Sequence, residues 1–393
     1  MAQQSSWKLT VCVVALLLAA KHRFQEGRGF ATLARGKCQH DQRSGARLIR
    51  TATSDSRPSD ALWCQVSNGP DVEAGKDAMV LPVFPSSAVL WPASTVRVGV
   101  MEPAHTKMYH DMLMSGSRYV VAPLARLDPR PQCGPDTPPD SMPQNCFLQS
   151  TAGVLRLEEL EDYRGKGNGN LRYVAKHVVN MRASIRRVLN PSSLFVSSPD
   201  EQRSDYLRVE VDLLPGSFDS MSINSTLEED AMDEEETLAE LCVALEHLRR
   251  LSLELEEPHI PQVSMAGVKQ FSSWQLAELW YQTQLRVLEH REKQRVKLAV
   301  NEWLEEQKEA GRVFNDPSSA IEAMPERVQK DLWRANQADG RIAPAVAGRD
   351  FYEPFLRLMA AVSAKERTAL LASLVGAELK RTQARASIRR VLT

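Results

Sequence analysis

The sequence predicts an α+β protein: a β-rich unit over residues 78–216, followed by helices that run to residue 393. Three observations lead there. Residues 81–103, LPVFPSSAVLWPASTVRVGVMEP, set four prolines (Pro82, Pro85, Pro92, Pro103) into the most apolar stretch of the chain. Segments 95–100, 173–185 and 206–214 alternate apolar and polar residues, the period of a half-buried strand. From Thr226 onward apolar residues recur every three or four positions, the period of a helix.

Composition sets the outer bounds. At 393 residues, 43% hydrophobic and 25% charged, the chain can bury one or two cores. Its formal net charge of −1 gives no global attraction to nucleic acid or anionic lipid. The six cysteines (Cys12, Cys38, Cys64, Cys133, Cys146, Cys242) contain no C-x-x-C pair, which excludes a zinc ribbon or RING. Cys133 and Cys146 flank a proline-rich loop and read either as a disulfide of an oxidising compartment or as two free thiols.

The N-terminus reads as an address. Residues 9–20, LTVCVVALLLAA, suit a signal-peptide core and fall short of the roughly 20 residues a spanning helix needs. Residues 1–20 are therefore expected to be a signal peptide. From Lys21 to Arg57 there are nine Lys/Arg against three acids, the composition of a transit peptide, so 21–75 is expected to be a mostly disordered presequence. This tandem resembles the bipartite presequence of algae whose plastids lie inside the endomembrane system. It implies a plastid destination by the secretory route, with secretion or an endomembrane lumen as the alternative. No later apolar run is long enough to span a bilayer.

Proline explains the apolar stretch. Phe84 and Trp91 each precede a proline, which pushes them into extended conformation. Pro82 and Pro85 rule out both a helix and a central strand, because each lacks the N–H that either would need. Residues 81–92 should therefore be short extended pieces at a sheet's seam, a rim that closes a barrel. Val96, Val98 and Val100 then form one face of a strand. Pro103 opens a helix whose stripe is Met108, Met112 and Leu113 and whose end is Gly116. Residues 119–124, YVVAPL, read as a fully buried strand, and 128–146, with six prolines, as a surface insert. In 172–186 one face holds Tyr173, Ala175, Val179, Met181, Ala183 and Ile185, the other Arg172, Lys176, Asn180, Arg182, Ser184 and Arg186. Residues 206–214 alternate in the same way and pair with it across turn signals.

In order and spacing these segments resemble the N-terminal substrate-recognition domain of Lon proteases, most closely the stand-alone Lon-domain proteins of plants and algae. The residues that carry the resemblance are Leu81, Pro82, Pro85, Pro92, Glu102 and Pro103, then YVVAPL, RASIRRVLNP and YLRVEVDLLP. The resemblance implies a PUA-like β pseudobarrel followed by a C-terminal helical bundle, and a protein that binds unfolded or extended polypeptides for a separate ATP-dependent protease. The chain departs from the pattern in its proline-rich insert and in the loosely formed strand start at TAGVLRL.

The helical third divides at Pro258. Over 217–258, an acidic linker leads into a helix with Leu238, Leu241, Leu245, Leu248 and Leu251 along one stripe of coiled-coil type. Within 262–393 a helix of about thirty residues starts at a Ser cap near 272, another begins near Phe351, and a last one runs from Leu370. Residues 219–257 hold thirteen acids and 365–393 hold seven Lys/Arg; separate solvated faces are the expectation, mutual attraction the alternative. The octapeptide RASIRRVL occurs identically at 182–189 and 385–392. Its first copy fits a strand, and its second a helix stripe through Ala384, Ile388, Val391 and Leu392.

No catalytic motif emerges, and neither cofactor nor metal is called for. ATLARGKC (31–38) lacks the first glycine and the hydroxyl of a phosphate loop, and RGKGNGN (164–170) reads as a turn. His105 and His110 are five apart, the wrong spacing for a shared metal, and should be solvated. Asn224-Ser225-Thr226 has the form of a glycosylation acceptor. A non-enzyme is expected. Phe84, Trp91 and Tyr109 are the candidate partner-binding residues, with barrel core as the competing reading of each. RNA binding through Arg172, Lys176, Arg182, Arg186 and Arg187 is the alternative function, weakened because no aromatics interleave that flank.

Overall fold

A computed structural model describes residues 62–66, 70–129, 144–163, 171–194, 205–214, 228–260, 272–312, 314, 316–336 and 342–392. Expectations for residues 1–61, Cys133, 164–170 and 224–226 lie outside this set. The strands are β1 (Trp63–Val66), β2 (Met79–Pro82), β3 (Thr95–Val100), β4 (Tyr119–Ala122), β5 (Ala125–Pro129), β6 (Gln144–Gln149), β7 (Thr151–Asp162), β8 (Tyr173–Val188) and β9 (Arg208–Leu213). Helix α1 (Pro103–Ser115) lies between β3 and β4. The later helices are α2 (Glu228–Glu254), α3 (Ser273–Glu309), α4 (Pro317–Ala323), α5 (Glu326–Ala335), α6 (Ile342–Val346), α7 (Arg349–Ala360) and α8 (Ala364–Leu392).

The main sheet is antiparallel in the order β2-β9-β8-β7-β4, with β3 on the outer flank of β8. The proline-rich rim closes it. After β2, the Val83 N–H donates to Leu207 O at 2.8 Å, and the Phe84 and Ser86 N–H groups donate to Val121 and Pro123 O, each at 2.9 Å. Residues 83–86 thus lie parallel to β4 and join the two ends of the sheet. Phe84 and Ser86 aim their amides at β4, so the position between them aims away, and there Pro85 sacrifices no bond. Gly153 of β7 lies under the later part of the rim: a Cβ there would meet Leu90 O at 3.0 Å and Val179 Cγ1 of β8 at 2.9 Å. The expected closed pseudobarrel followed by helices is the fold observed.

Two boundaries move. Trp63–Val66, inside the segment expected to be presequence, forms β1 and pairs with β6. Asp128, Pro129 and Gln144–Cys146, at the margins of the proline-rich insert, belong to β5 and β6, which pair with each other. These short strands have no alternation of their own and are held by pairing. In α1, Met108 and Met112 are buried as expected, but Leu113 is 57% exposed and Tyr109 takes its place in the core. Pro103 opens the helix, and Gly116 ends it at φ 71°.

The β unit and the helices share one core. Trp63, Val89, Trp91 and Leu124 pack with Leu241, Trp274, Tyr281, Tyr352, Phe355 and Leu371. Ser272 caps α3 in a full capping box with Gln275. The acidic and basic segments are not separate faces. Arg385 Nη2 lies 2.9 Å from Glu257, and Arg390 pairs with both oxygens of Glu254 at 2.7 Å. In α8 the expected apolar stripe turns outward at Ile388, Val391 and Leu392, while Ala386 is buried. Helices α4 to α6 were not legible in the sequence. Of these, α4 and α5 build a satellite core with Val296, Val300 and Trp303 of α3.

Candidate functional site

The three aromatic candidates part company. Trp91 is 1% exposed, with its ring 6.2 Å from Trp274 and 5.9 Å from Tyr281, centroid to centroid. Tyr109 is fully buried, its Oη 2.7 Å from His177 Nε2. Neither offers surface to a partner, because the helical region covers one and α1 turns the other inward. Phe84 is half-buried, and its ring lies against His105, tilted by 38° with centroids 4.7 Å apart. The His105 ring in turn lies 3.5 Å from the Glu102 carboxylate. Of the three, Phe84 alone keeps access to solvent.

Helix α1 is seated on β8 by two tyrosine–histidine bonds. Besides Tyr109–His177, His110 Nε2 lies 2.7 Å from Tyr173 Oη. His105 and His110 are therefore partnered rather than simply solvated. Burial pushes the Tyr109 phenol up and the His177 imidazole down to about 4, so His177 is neutral near pH 7. Its Nδ1 has no hydrogen-bond partner among the described residues. No group of three or more metal-ligating side chains occurs among the described residues. The Tyr–His pair, sealed from solvent, is an anchor for α1.

The basic flank of β8 is largely neutralised. Lys176 lies 3.2 Å from Glu158, Arg187 lies 2.7 Å from Glu210, and Arg186 pairs with Asp212. Arg182, assigned from alternation to the polar face, is buried. Its Nη1 donates to Met359 O at 2.6 Å and Ala361 O at 2.8 Å, and its guanidinium lies 4.9 Å from the centroid of Trp274. The reason is that β8 is covered on both faces here: Ala183 points into the barrel and Arg182 into the helices. Arg367 lies over the same indole at 4.0 Å and donates to Ala361 O.

The outer edge of β3 is the feature that sequence reasoning passed over. β3 pairs with β8 from Thr95↔Val178 to Val100↔Tyr173. The Ser94 and Val100 carbonyls accept from Val179 and Arg172, so even-numbered residues bond toward β8. Thr95, Arg97 and Gly99 therefore aim their main-chain N–H and C=O away from it. All three are exposed, while Val96 and Val98 on the inner face are half-buried. Among the described residues no strand pairs with this edge. Its signal in the sequence was the uninterrupted TVRVGV alternation, which shows a strand but not whether a neighbour lies on each side.

The chain is similar to the crystal structure of a Lon N-terminal domain protein from Xanthomonas campestris, at 19% identity and a TM-score of 0.27, over 51% of this chain and 82% of that one. No protein-family profile matches the sequence. No curated protein matches it either.

Proposed function

We propose that this chain is a non-catalytic recognition module of Lon N-terminal type, which binds unfolded or extended polypeptides and works with a separate ATP-dependent protease. The observation that carries the proposal is a proline-closed barrel with a six-residue strand edge that no strand pairs among the described residues, and with Phe84 only half-buried. Open main-chain groups beside half-covered valines suit an extended chain of varied sequence, because they read backbone and apolar character rather than one side chain. The order of the proline and strand motifs supports the same reading. RNA binding is the weaker alternative, since most cations on the β8 flank already have acidic neighbours.

Binding of the full chain to a reduced, carboxymethylated protein and to single-stranded RNA, across a salt series, tests the proposal. Polypeptide binding that persists at high salt is expected, with no hydrolysis of ATP or peptide bonds. RNA binding that falls steeply with salt would favour the alternative. The proposal extends to the address: residues 1–60 fused to a fluorescent reporter should reach the plastid of an alga whose plastids lie inside the endomembrane system.

A further inference from the structure

We infer that the outer edge of β3 takes up the polypeptide as an added strand, and that the bound segment sets an acidic residue against Arg97. This rests on the recognition reading and names its site and the chemistry of its partner. Thr95, Arg97 and Gly99 turn three N–H and three C=O groups outward, as an incoming strand requires. Exposed edges are usually blunted by proline, a bulge or charge. β3 holds no proline, and Arg97 is its one charged residue.

Charge completes the argument. On the outward face, Glu158 of β7 lies 3.2 Å from Lys176 of β8, and Lys176 is opposite Arg97 of β3. The row runs acid, base, base and then stops. Arg97 is exposed, and among the described residues no carboxylate lies within ion-pair distance of it. Like charges directly opposite one another are unfavourable in a sheet, and a carboxylate on the next strand would relieve this pair. The inner face asks for the reverse. Val96 and Val98 are half-buried, so the alternate residues of the partner should be apolar. The partner is thus an extended segment with apolar residues on one face and an acidic residue on the other.

The test uses the full chain and a labelled nonapeptide of alternating valine and threonine with one central glutamate. A lysine twin and two twins N-methylated on alternate residues, one of each parity, complete the set. The wild-type chain should bind the glutamate peptide about tenfold tighter than the lysine twin, and Arg97→Glu should invert that order. One N-methylated twin should lose binding and the other keep it, because only every second amide of an added strand faces β3. Equal binding of both methylated twins, or an order unchanged by Arg97→Glu, would overturn the assignment. If the chain holds carboxymethylated protein that saturating peptide does not displace, the edge is wrong and the recognition reading stands. If it binds neither, both fall. A dimer that Arg97→Glu dissociates, with no peptide bound, would make a second copy the occupant and overturn the polypeptide.

Discussion

Ala93 has φ 71°, a left-handed conformation that costs a residue with a side chain about 1 kcal/mol. The turn holds it there: its N–H donates to Val179 O at 2.9 Å while Ser94 N–H returns to Trp91 O. Ala93→Gly should therefore raise stability by up to about 1 kcal/mol in urea unfolding. Gly153→Ala should do the opposite, costing about 1–3 kcal/mol, because the rim backbone at Leu90 must retreat. His177 predicts a pH dependence. Its folded value of about 4 lies below the ordinary 6.5. Above pH 6.5 both states hold it neutral and its contribution is complete. As pH falls from 6.5 toward 4 the unfolded chain takes up a proton that the native state refuses, and stability declines by up to about 3 kcal/mol. Unfolding curves at pH 7 and pH 4.5 should show that decline in the wild type and a smaller one in His177→Gln.

At the scale of elements, prolines and caps act where local sequence decides. The rim tolerates Pro82 and Pro85 because each lies at a seam, where one side of the chain needs no amide bond. Helix α3 begins where its capping box begins: Gln275 N–H donates to Ser272 Oγ at 3.3 Å, and Ser272 N–H donates to Gln275 Oε1 at 2.8 Å. Ser272→Ala should lower the unfolding free energy by about 1 kcal/mol and fray the first turn, visible as faster amide exchange over 273–276. The RASIRRVL octapeptide is the counter-case. At 182–189 it lies in β8 and the residue after it, and at 385–392 it is the last two turns of α8. Local preference is the same in both copies, so the neighbours choose. Strands β7 and β9 supply ladders in one place, and Glu254 at the end of α2 with Glu257 just beyond it hold Arg390 and Arg385 in the other.

Across the whole molecule, arginines bolt the barrel to the helices. Arg182 bonds the carbonyls of Met359 in the last turn of α7 and of Ala361 just after it, Arg126 donates to Ala347 O and lies over Tyr352, and Arg349 lies over Phe147. Arg182→Met should cost about 3 kcal/mol, since it removes the donor to the Met359 carbonyl, leaves Ala361 O to Arg367 alone, and removes the stack on Trp274. Arg182→Lys should recover only part, because an ammonium cannot reproduce the planar fork. Thermal melts of the three chains should fall in that order. The shared core implies a single cooperative unit. A chain truncated after residue 214 would bare Val89, Trp91 and Leu124, and should lack a cooperative unfolding transition.

What the sequence determined by itself was whatever repeats locally: the alternation of β3, β8 and β9, the proline-closed rim, the ends of α1 at Pro103 and Gly116, and the leucine stripe of α2. What only tertiary structure decided was which side of each element finds a neighbour. Alternation placed Arg182 outside and left Trp91 free to be either surface or core, because period two separates faces without saying what covers them. Strands β1 and β5 are only four and five residues long and β6 (QNCFLQ) shows no alternation, so all three exist through their pairing with one another. The open edge of β3 is of the same kind: hydrogen bonding saturates one side of a strand within the sheet, and whether the other side is filled depends on the path of the rest of the chain.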